Sequence, residues 1–89
     1  MSLNPYTTND EVRAVLGTNI DELSNETLEL GVYKSALELD LEGLGSGALN
    51  TIDAVLEKDD NELTDKDKKL IRAVNLFSTY SVARHLAKS

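Results

Sequence analysis

Apolar residues recur along this chain at the three- and four-residue spacing that is typical of amphipathic helices. The first group consists of Val12, Val15 and Leu16. Thr8 precedes the group as a suitable N-cap, and Gly17 follows it as a residue that readily adopts the left-handed conformation ending many helices. The pattern therefore predicts a first helix between these two residues, with the three apolar side chains in the core.

Two more helices are predicted on either side of a glycine-rich corner. Ser24 or Asn25 begins a short turn that carries Leu28. A longer apolar stripe follows this turn, at Leu30, Tyr33, Leu37, Leu41 and Leu44. The segment GLGSG at 43–47 ends that helix, because each glycine costs a helix interior up to about 1 kcal/mol. Ser46 is a suitable cap for the next helix. Its apolar face consists of Leu49, Ile52, Val55 and Leu56. The corner is either a simple turn or a working hinge, and both interpretations stay open.

The last helix carries apolar residues on two faces. Thr64 is its predicted N-cap, and the helical pattern continues almost to the end of the chain. One face consists of Leu70, Val74, Phe77 and Ser81. The other face, about 100° round the helix, consists of Ile71, Ser78 and Val82. We expect the first face to pack in the core and the second, with His85 and Leu86, to contact another subunit or a partner. The alternative is that the whole helix packs inside its own bundle.

These patterns predict a single all-α domain over residues 1–89. It is a small bundle of four main helices plus a short turn, with a long C-terminal helix. No strand-like alternation of apolar and polar residues is present. The predicted core residues are Val12, Val15, Leu16, Tyr33, Leu37, Leu41, Leu70, Val74 and Phe77.

Charge is distributed unevenly along the chain, which has a net charge of −7. Residues 1–62 contain 14 acidic and three basic side chains, whereas residues 63–89 contain two acidic and six basic ones. Most of the surface would therefore repel the phosphates of a DNA duplex. The basic last helix is neutralised either within its own chain or by the acidic part of a second copy.

The residues that usually carry catalysis or bind metals are scarce or wrongly spaced. There is no cysteine and only one histidine. The acidic stretch at 53–67 lacks the glycine and glutamate positions of a calcium-binding loop. Ser81 and His85 lie four residues apart, but no acid is spaced to orient the histidine. We expect no enzymatic activity, no metal and no cofactor. The N-terminus has no signal-peptide pattern, and no apolar run is long enough to span a membrane.

Three stretches together resemble the head-to-tail connector proteins of tailed bacteriophages, also called adaptor or head completion proteins. They are NPYTTNDEVRAVLG, ETLELGVYKSALELDLEGL and LFSTYSVARHL. The resemblance covers most of residues 4–87 and is weakest across 45–63. It depends on the order and spacing of the helices, because none of these stretches is a catalytic signature.

The resemblance implies a structural virion protein that assembles in the host cytoplasm and is located at the head-tail junction. Its partners would be further copies of itself in a ring, usually dodecameric, together with the portal protein and tail or nozzle proteins. Packaged DNA would pass through the ring without sequence-specific binding. Members of the family use a segment after the last helix to dock on the portal, whereas the sequence here ends at Ser89.

The alternative function is that of a small helical regulatory or DNA-associated module. Four basic residues cluster on the first turns of the last helix, at Lys66, Lys68, Lys69 and Arg72. In this interpretation they contact the phosphates of nucleic acid.

Overall fold

The computed structural model describes residues 3–87, and all of the regular structure in that range is helical. A single 3₁₀ turn at Asp60–Glu62 accompanies the α-helices. The α-helices are α1 (Asn9–Leu16), α2 (Asn25–Leu28), α3 (Gly31–Glu42), α4 (Ala48–Leu56) and α5 (Asp65–Ala87). The predicted all-α fold class is confirmed, with helix making up 69% of the described residues. None of the helices within residues 3–87 has both the length and the hydrophobicity that crossing a bilayer requires.

Local side-chain chemistry explains where the helices begin and end. Thr8 accepts a hydrogen bond from the backbone N–H of Glu11, and its hydroxyl donates to the Glu11 carboxylate at 2.9 Å. Gly17 then ends α1 with a φ of 69°. At the start of α5, Thr64 accepts from the backbone N–H of Asp67, and the Asp67 carboxylate accepts from that of Thr64. These reciprocal bonds satisfy N–H groups that have no partner within the helix.

The corner between α3 and α4 is held by a carboxylate and not by the expected Ser46 cap. Gly47 is the N-cap of α4, with a φ of 73°. The Glu42 carboxylate accepts hydrogen bonds from the backbone N–H groups of Gly47, at 3.0 Å, and Leu49, at 3.2 Å. The end of α3 therefore caps the start of α4, which makes the corner a defined turn.

Helix α5 is the centre of the bundle, and α1, α3 and α4 each pack against it. Helix α3 runs antiparallel to α5. Leu44, just after the C-terminal end of α3, lines a groove with Leu76 in the middle of α5, whereas Tyr33 near the N-terminal end of α3 lines a cleft with Leu86 near the C-terminal end of α5. The buried core consists of Leu3, Tyr6, Val12, Leu28, Leu37, Leu41, Ile52, Val74 and Val82. The molecule measures 39 × 26 × 19 Å.

The predicted core is correct in part. The predicted residues that are buried are Val12, Leu37, Leu41 and Val74. Tyr33 and Leu70 are half-buried and pack against this core. Val15, Leu16 and Phe77 are exposed, so their assignment to the core was wrong. Helix α1 has only eight residues and buries Val12 with Arg13, which leaves the other two apolar residues at its margin.

On α5 the buried line consists of small residues and not of aromatic ones. Val74, Ser78 and Val82, spaced four residues apart, face inward, and Phe77 and Tyr80 lie outside. Small side chains allow neighbouring helices to approach closely. A prediction based only on the positions of apolar residues does not take this close packing into account. Two hydroxyls on this side also find polar partners: Thr79 Oγ1 lies 2.6 Å from Thr7 Oγ1, and Ser81 bonds to α3.

The segment before α1 belongs to the core, which the apolar spacing did not predict. Leu3, Tyr6 and Thr7 are all buried. The Tyr6 hydroxyl donates to Asp53 of α4 at 2.6 Å. Burial, followed by this hydrogen bond, raises the pKa of Tyr6. The segment therefore joins α4 to α5 and closes that side of the bundle.

Candidate subunit contact surface

The residues predicted to contact another subunit lie mostly inside the chain's own bundle. Ser78 and Val82 are fully buried, so they are not available to a partner, and their assignment to an interface was wrong. Ile71, His85 and Leu86 are half-buried. The reason is a rotation of α5 about its own axis relative to the predicted orientation. The face that was expected to be exposed therefore packs towards α1 and α3. The portal-docking segment expected beyond the last helix lies outside the described residues.

One exposed apolar surface is a groove between α3 and α5. Its volume is about 550 Å³. The lining residues are Leu39, Asp40, Gly43, Leu44, Leu76, Phe77, Tyr80, Ser81 and Arg84. Leu39, Leu44, Leu76 and Tyr80 are each between 54% and 75% exposed. We call this surface the α3–α5 groove. Large apolar side chains grouped on a protein surface mark a site of interaction.

Helix geometry brings these side chains together. On α5, Leu76 and Tyr80 are four residues apart and therefore lie on one face, next to Phe77. On α3, Leu39 lies on the side away from the buried Leu37 and Leu41. Because the two helices run antiparallel, the outer residues of one lie along those of the other for about two turns.

One carboxylate ties the two walls of the groove together. Asp40 Oδ2 accepts hydrogen bonds from Ser81 Oγ at 2.5 Å, His85 Nε2 at 2.9 Å and Arg84 Nη2 at 3.2 Å. The bond from Ser81, followed by that from His85, lowers the pKa of the Asp40 carboxyl group. This cluster fixes α3 against the C-terminal half of α5 and so sets the shape of the groove.

Asp40, Ser81 and His85 are the residue types of a hydrolytic triad, but their order does not suit that chemistry. In a triad the imidazole lies between the serine and the carboxylate. Here the carboxylate lies between the other two and accepts a hydrogen bond from the serine hydroxyl directly. The cluster therefore does not activate Ser81 as a nucleophile. Within residues 3–87, no group of three or more histidine and acidic side chains is arranged to hold a metal ion.

A second exposed apolar region lies at the other end of α3, in the connection from α1. We call residues 17–32 the acidic connection, because they contain Asp21, Glu22, Glu26 and Glu29 and no lysine or arginine. Within it, Ile20, Leu30 and Val32 are each between 53% and 64% exposed. The opposite charge lies on α5, where the exposed basic residues of the first turns are Lys66, Lys68, Lys69 and Arg72.

A buried arginine holds the acidic connection in place. Arg13 donates from Nε to the backbone carbonyl of Leu23 at 2.7 Å and from Nη1 to Asp10 at 2.9 Å. Its Nη2 donates to the side chain of Asn25. These bonds attach the connection to α1 and orient its apolar residues outward on a defined backbone. The sequence pattern does not predict this role for Arg13, because its partners lie up to 12 residues away.

The α3–α5 groove was not predicted from the sequence either. Leu39 does not belong to the predicted apolar stripe of its helix. Leu76 and Tyr80 were not among the predicted interface residues. Comparison of this chain with protein-family models, with curated proteins and with solved structures found no match.

Proposed function

We propose that this protein is a structural virion protein, a ring-forming adaptor that joins the portal to the tail and extends the DNA channel. The observation that carries the proposal is the α3–α5 groove, a group of exposed leucines with Tyr80 on a small helical bundle. Such a surface is costly to leave in water and is stabilised when a protein partner covers it. The three stretches that resemble the connector family supply the identity of the partners.

Size supports an assembly role. A chain of 89 residues buries a smaller fraction of its surface than a larger domain does, so its stability alone is modest. Contact with further copies and with the portal would add buried apolar area without enlarging the chain. In this account the function is assembly itself, and the helices supply surfaces and not reactive groups.

The acidic surface suits the inside of a DNA channel. A net charge of −7 on each copy would make the walls of a ring electronegative. Like charge keeps packaged DNA from adhering to the wall, and so the duplex slides past without sequence-specific contacts. The membrane has no part in this function.

Sedimentation velocity with the cognate portal protein tests the proposal. We expect weak self-association of the protein alone and a ring that sediments with the portal when the two are mixed. The variant Leu76→Glu/Tyr80→Glu, which places charge in the groove, should lose ring formation. Asn50→Glu/Ala54→Glu, which adds the same charge on exposed positions of α4, should retain it. Absence of co-sedimentation of the unmodified protein with the portal would contradict the proposal.

The alternative, a DNA-associated module, is favoured by one observation. The basic residues Lys66, Lys68, Lys69 and Arg72 are all exposed on α5. If all four contact phosphates, duplex affinity should fall roughly 150-fold between about 50 and 200 mM salt, following a slope of about −3.6. A salt titration by fluorescence anisotropy measures this slope. Binding that is undetectable at low salt would exclude the alternative.

A further inference from the structure

The chain exposes two apolar surfaces at opposite ends of α3. The α3–α5 groove lies beside the C-terminal end of α3, with Leu39 and Leu44. The acidic connection leads into its N-terminal end, with Leu30 and Val32. A helix of 12 residues is about 18 Å long, so the two surfaces are separate regions of the molecule.

The charges around the two surfaces are complementary. The acidic connection has four carboxylates and no basic side chain. The groove side of α5 carries Arg72, one turn before Leu76, and Lys69 before it, both exposed. The one acid that lines the groove, Asp40, is already bonded to Arg84 and His85 of its own chain. The α5 wall of the groove therefore presents apolar side chains beside a positive flank, whereas Glu38 and Glu42 lie next to Leu39 on the α3 wall. The connection presents apolar side chains among negative ones.

A symmetric contact of groove against groove fits these charges poorly. In an antiparallel pairing of two α5 helices centred between Leu76 and Tyr80, Arg72 of each copy would lie beside Arg84 of the other. Because Arg84 already has Asp40 as its partner, such a pairing would bring no acidic group to Arg72. A head-to-tail contact avoids this juxtaposition, because it pairs surfaces of opposite charge.

We propose that the α3–α5 groove of one copy receives the acidic connection of a second copy. Ile20, Leu30 and Val32 of one copy cover Leu76 and Tyr80 of the next, and the connection's carboxylates approach Arg72 and Lys69. A head-to-tail contact between two different surfaces closes into a ring when the rotation between copies divides the circle evenly. This inference rests on the self-assembly stated in the proposed function, and it names the two surfaces that meet.

Two variants with one damaged surface each test the contact without the portal. The groove variant is Leu76→Glu/Tyr80→Glu, and the connection variant is Ile20→Lys/Val32→Lys. All four positions are more than half exposed, so folding should be retained. Circular dichroism melting of each variant checks this, and Asn50→Glu/Ala54→Glu is the control that matches the charge of the groove variant.

The measurement is sedimentation velocity of each protein alone and of equimolar mixtures, up to about 1 mM, the weak end of specific association. We expect the unmodified protein and the control to self-associate and each damaged variant to be monomeric. A mixture of the two variants should form a dimer that does not grow, because one intact groove meets one intact connection.

Three results would overturn the inference: an unmodified protein that stays monomeric throughout, a connection variant that associates alone, or a mixture that remains monomeric. The outcome is separable from that of the portal experiment. If the mixed variants form dimers but the protein does not bind the portal, the contact is retained and the adaptor function is rejected. If the protein binds the portal but the mixed variants stay monomeric, the adaptor function is retained and the contact is rejected.

Discussion

Individual hydroxyl groups on the buried side of α5 have very different surroundings. Thr79 donates to the backbone carbonyl of Asn75 and lies beside the hydroxyl of Thr7. Ser81 donates to Asp40. Ser78 is fully buried, and its Oγ has no hydrogen-bond partner among the described residues. A buried polar atom without a partner has lost its hydration with no replacement, which destabilises the fold.

We therefore expect opposite effects from two similar serine substitutions. Ser78→Ala should raise the free energy of unfolding by about 1 kcal/mol, because it removes an unsatisfied hydroxyl and improves helix propensity. Ser81→Ala should lower it by about 1 kcal/mol or more, because the charged Asp40 loses a donor. Urea denaturation of both variants provides the measurement. A loss of stability in Ser78→Ala equal to that in Ser81→Ala would show that the two hydroxyls are equivalent.

The Asp40 cluster makes stability depend on pH in a defined direction. Hydrogen bonds from Ser81 and then His85 lower the pKa of Asp40 in the folded protein. Such a carboxylate stabilises the fold above its unfolded pKa of about 3.9, and the contribution is lost as pH falls through the folded pKa. The stability difference between the unmodified protein and Asp40→Asn should be full at about pH 5 and should shrink below about pH 4. Urea unfolding at a series of pH values measures it, and a difference that stays constant or grows as pH falls below about 3.9 would contradict this assignment.

At the scale of the elements, the ends of the helices follow from neighbouring residues. Thr8, Gly17 and Thr64 lie where the sequence predicts them to act, because a cap bonds within three or four residues of itself. The end of α3 is different. Glu42 reaches across the corner to two N–H groups of α4, and so Gly47 takes the place expected for Ser46.

The corner offers a matched pair of glycine substitutions. Gly47 has a φ of 73°, where a Cβ is strained, whereas Gly45 lies outside the left-handed region and has open space around it. Gly47→Ala should destabilise the fold by about 1–2 kcal/mol. Gly45→Ala should leave stability unchanged or raise it by up to about 1 kcal/mol. Thermal melting of both proteins provides the measurement. Equal losses in both would show that the corner is not the turn described above.

The same distinction between local and distant causes explains which features were predictable. Helix positions and most caps depend on residues close in sequence, and these were predicted. The rotation of α5 depends on Asp40 and Thr7, which lie 41 and 72 residues from their partners Ser81 and Thr79. The spacing of apolar residues predicted that Phe77 lies in the core, because this pattern considers only hydrophobicity. It does not consider that a small residue such as serine lets neighbouring helices approach closely. The α3–α5 groove follows from that rotation, so it was not predictable either.

For the molecule as a whole, the rotation of α5 decides which surface is left for other proteins. It buries Ser78 and Val82 and turns Leu76 and Tyr80 outward, beside Leu39 of α3. The same rotation leaves Arg72 exposed near the groove, at the far end of α3 from the acidic connection. A chain that carries exposed apolar side chains and opposite charges on separate regions is suited to self-association.

The tyrosines allow a direct measurement of whether the groove is a contact surface. Tyr80 is exposed in the groove, and Tyr6 is buried in the core. Hydroxyl-radical footprinting compares the oxidation of each tyrosine in dilute protein, in concentrated protein and with the portal. We predict that oxidation of Tyr80 falls on concentration and falls further with the portal, whereas Tyr6 stays protected throughout. Equal oxidation of Tyr80 in all three samples would contradict the account, because the groove would then remain in water in every state.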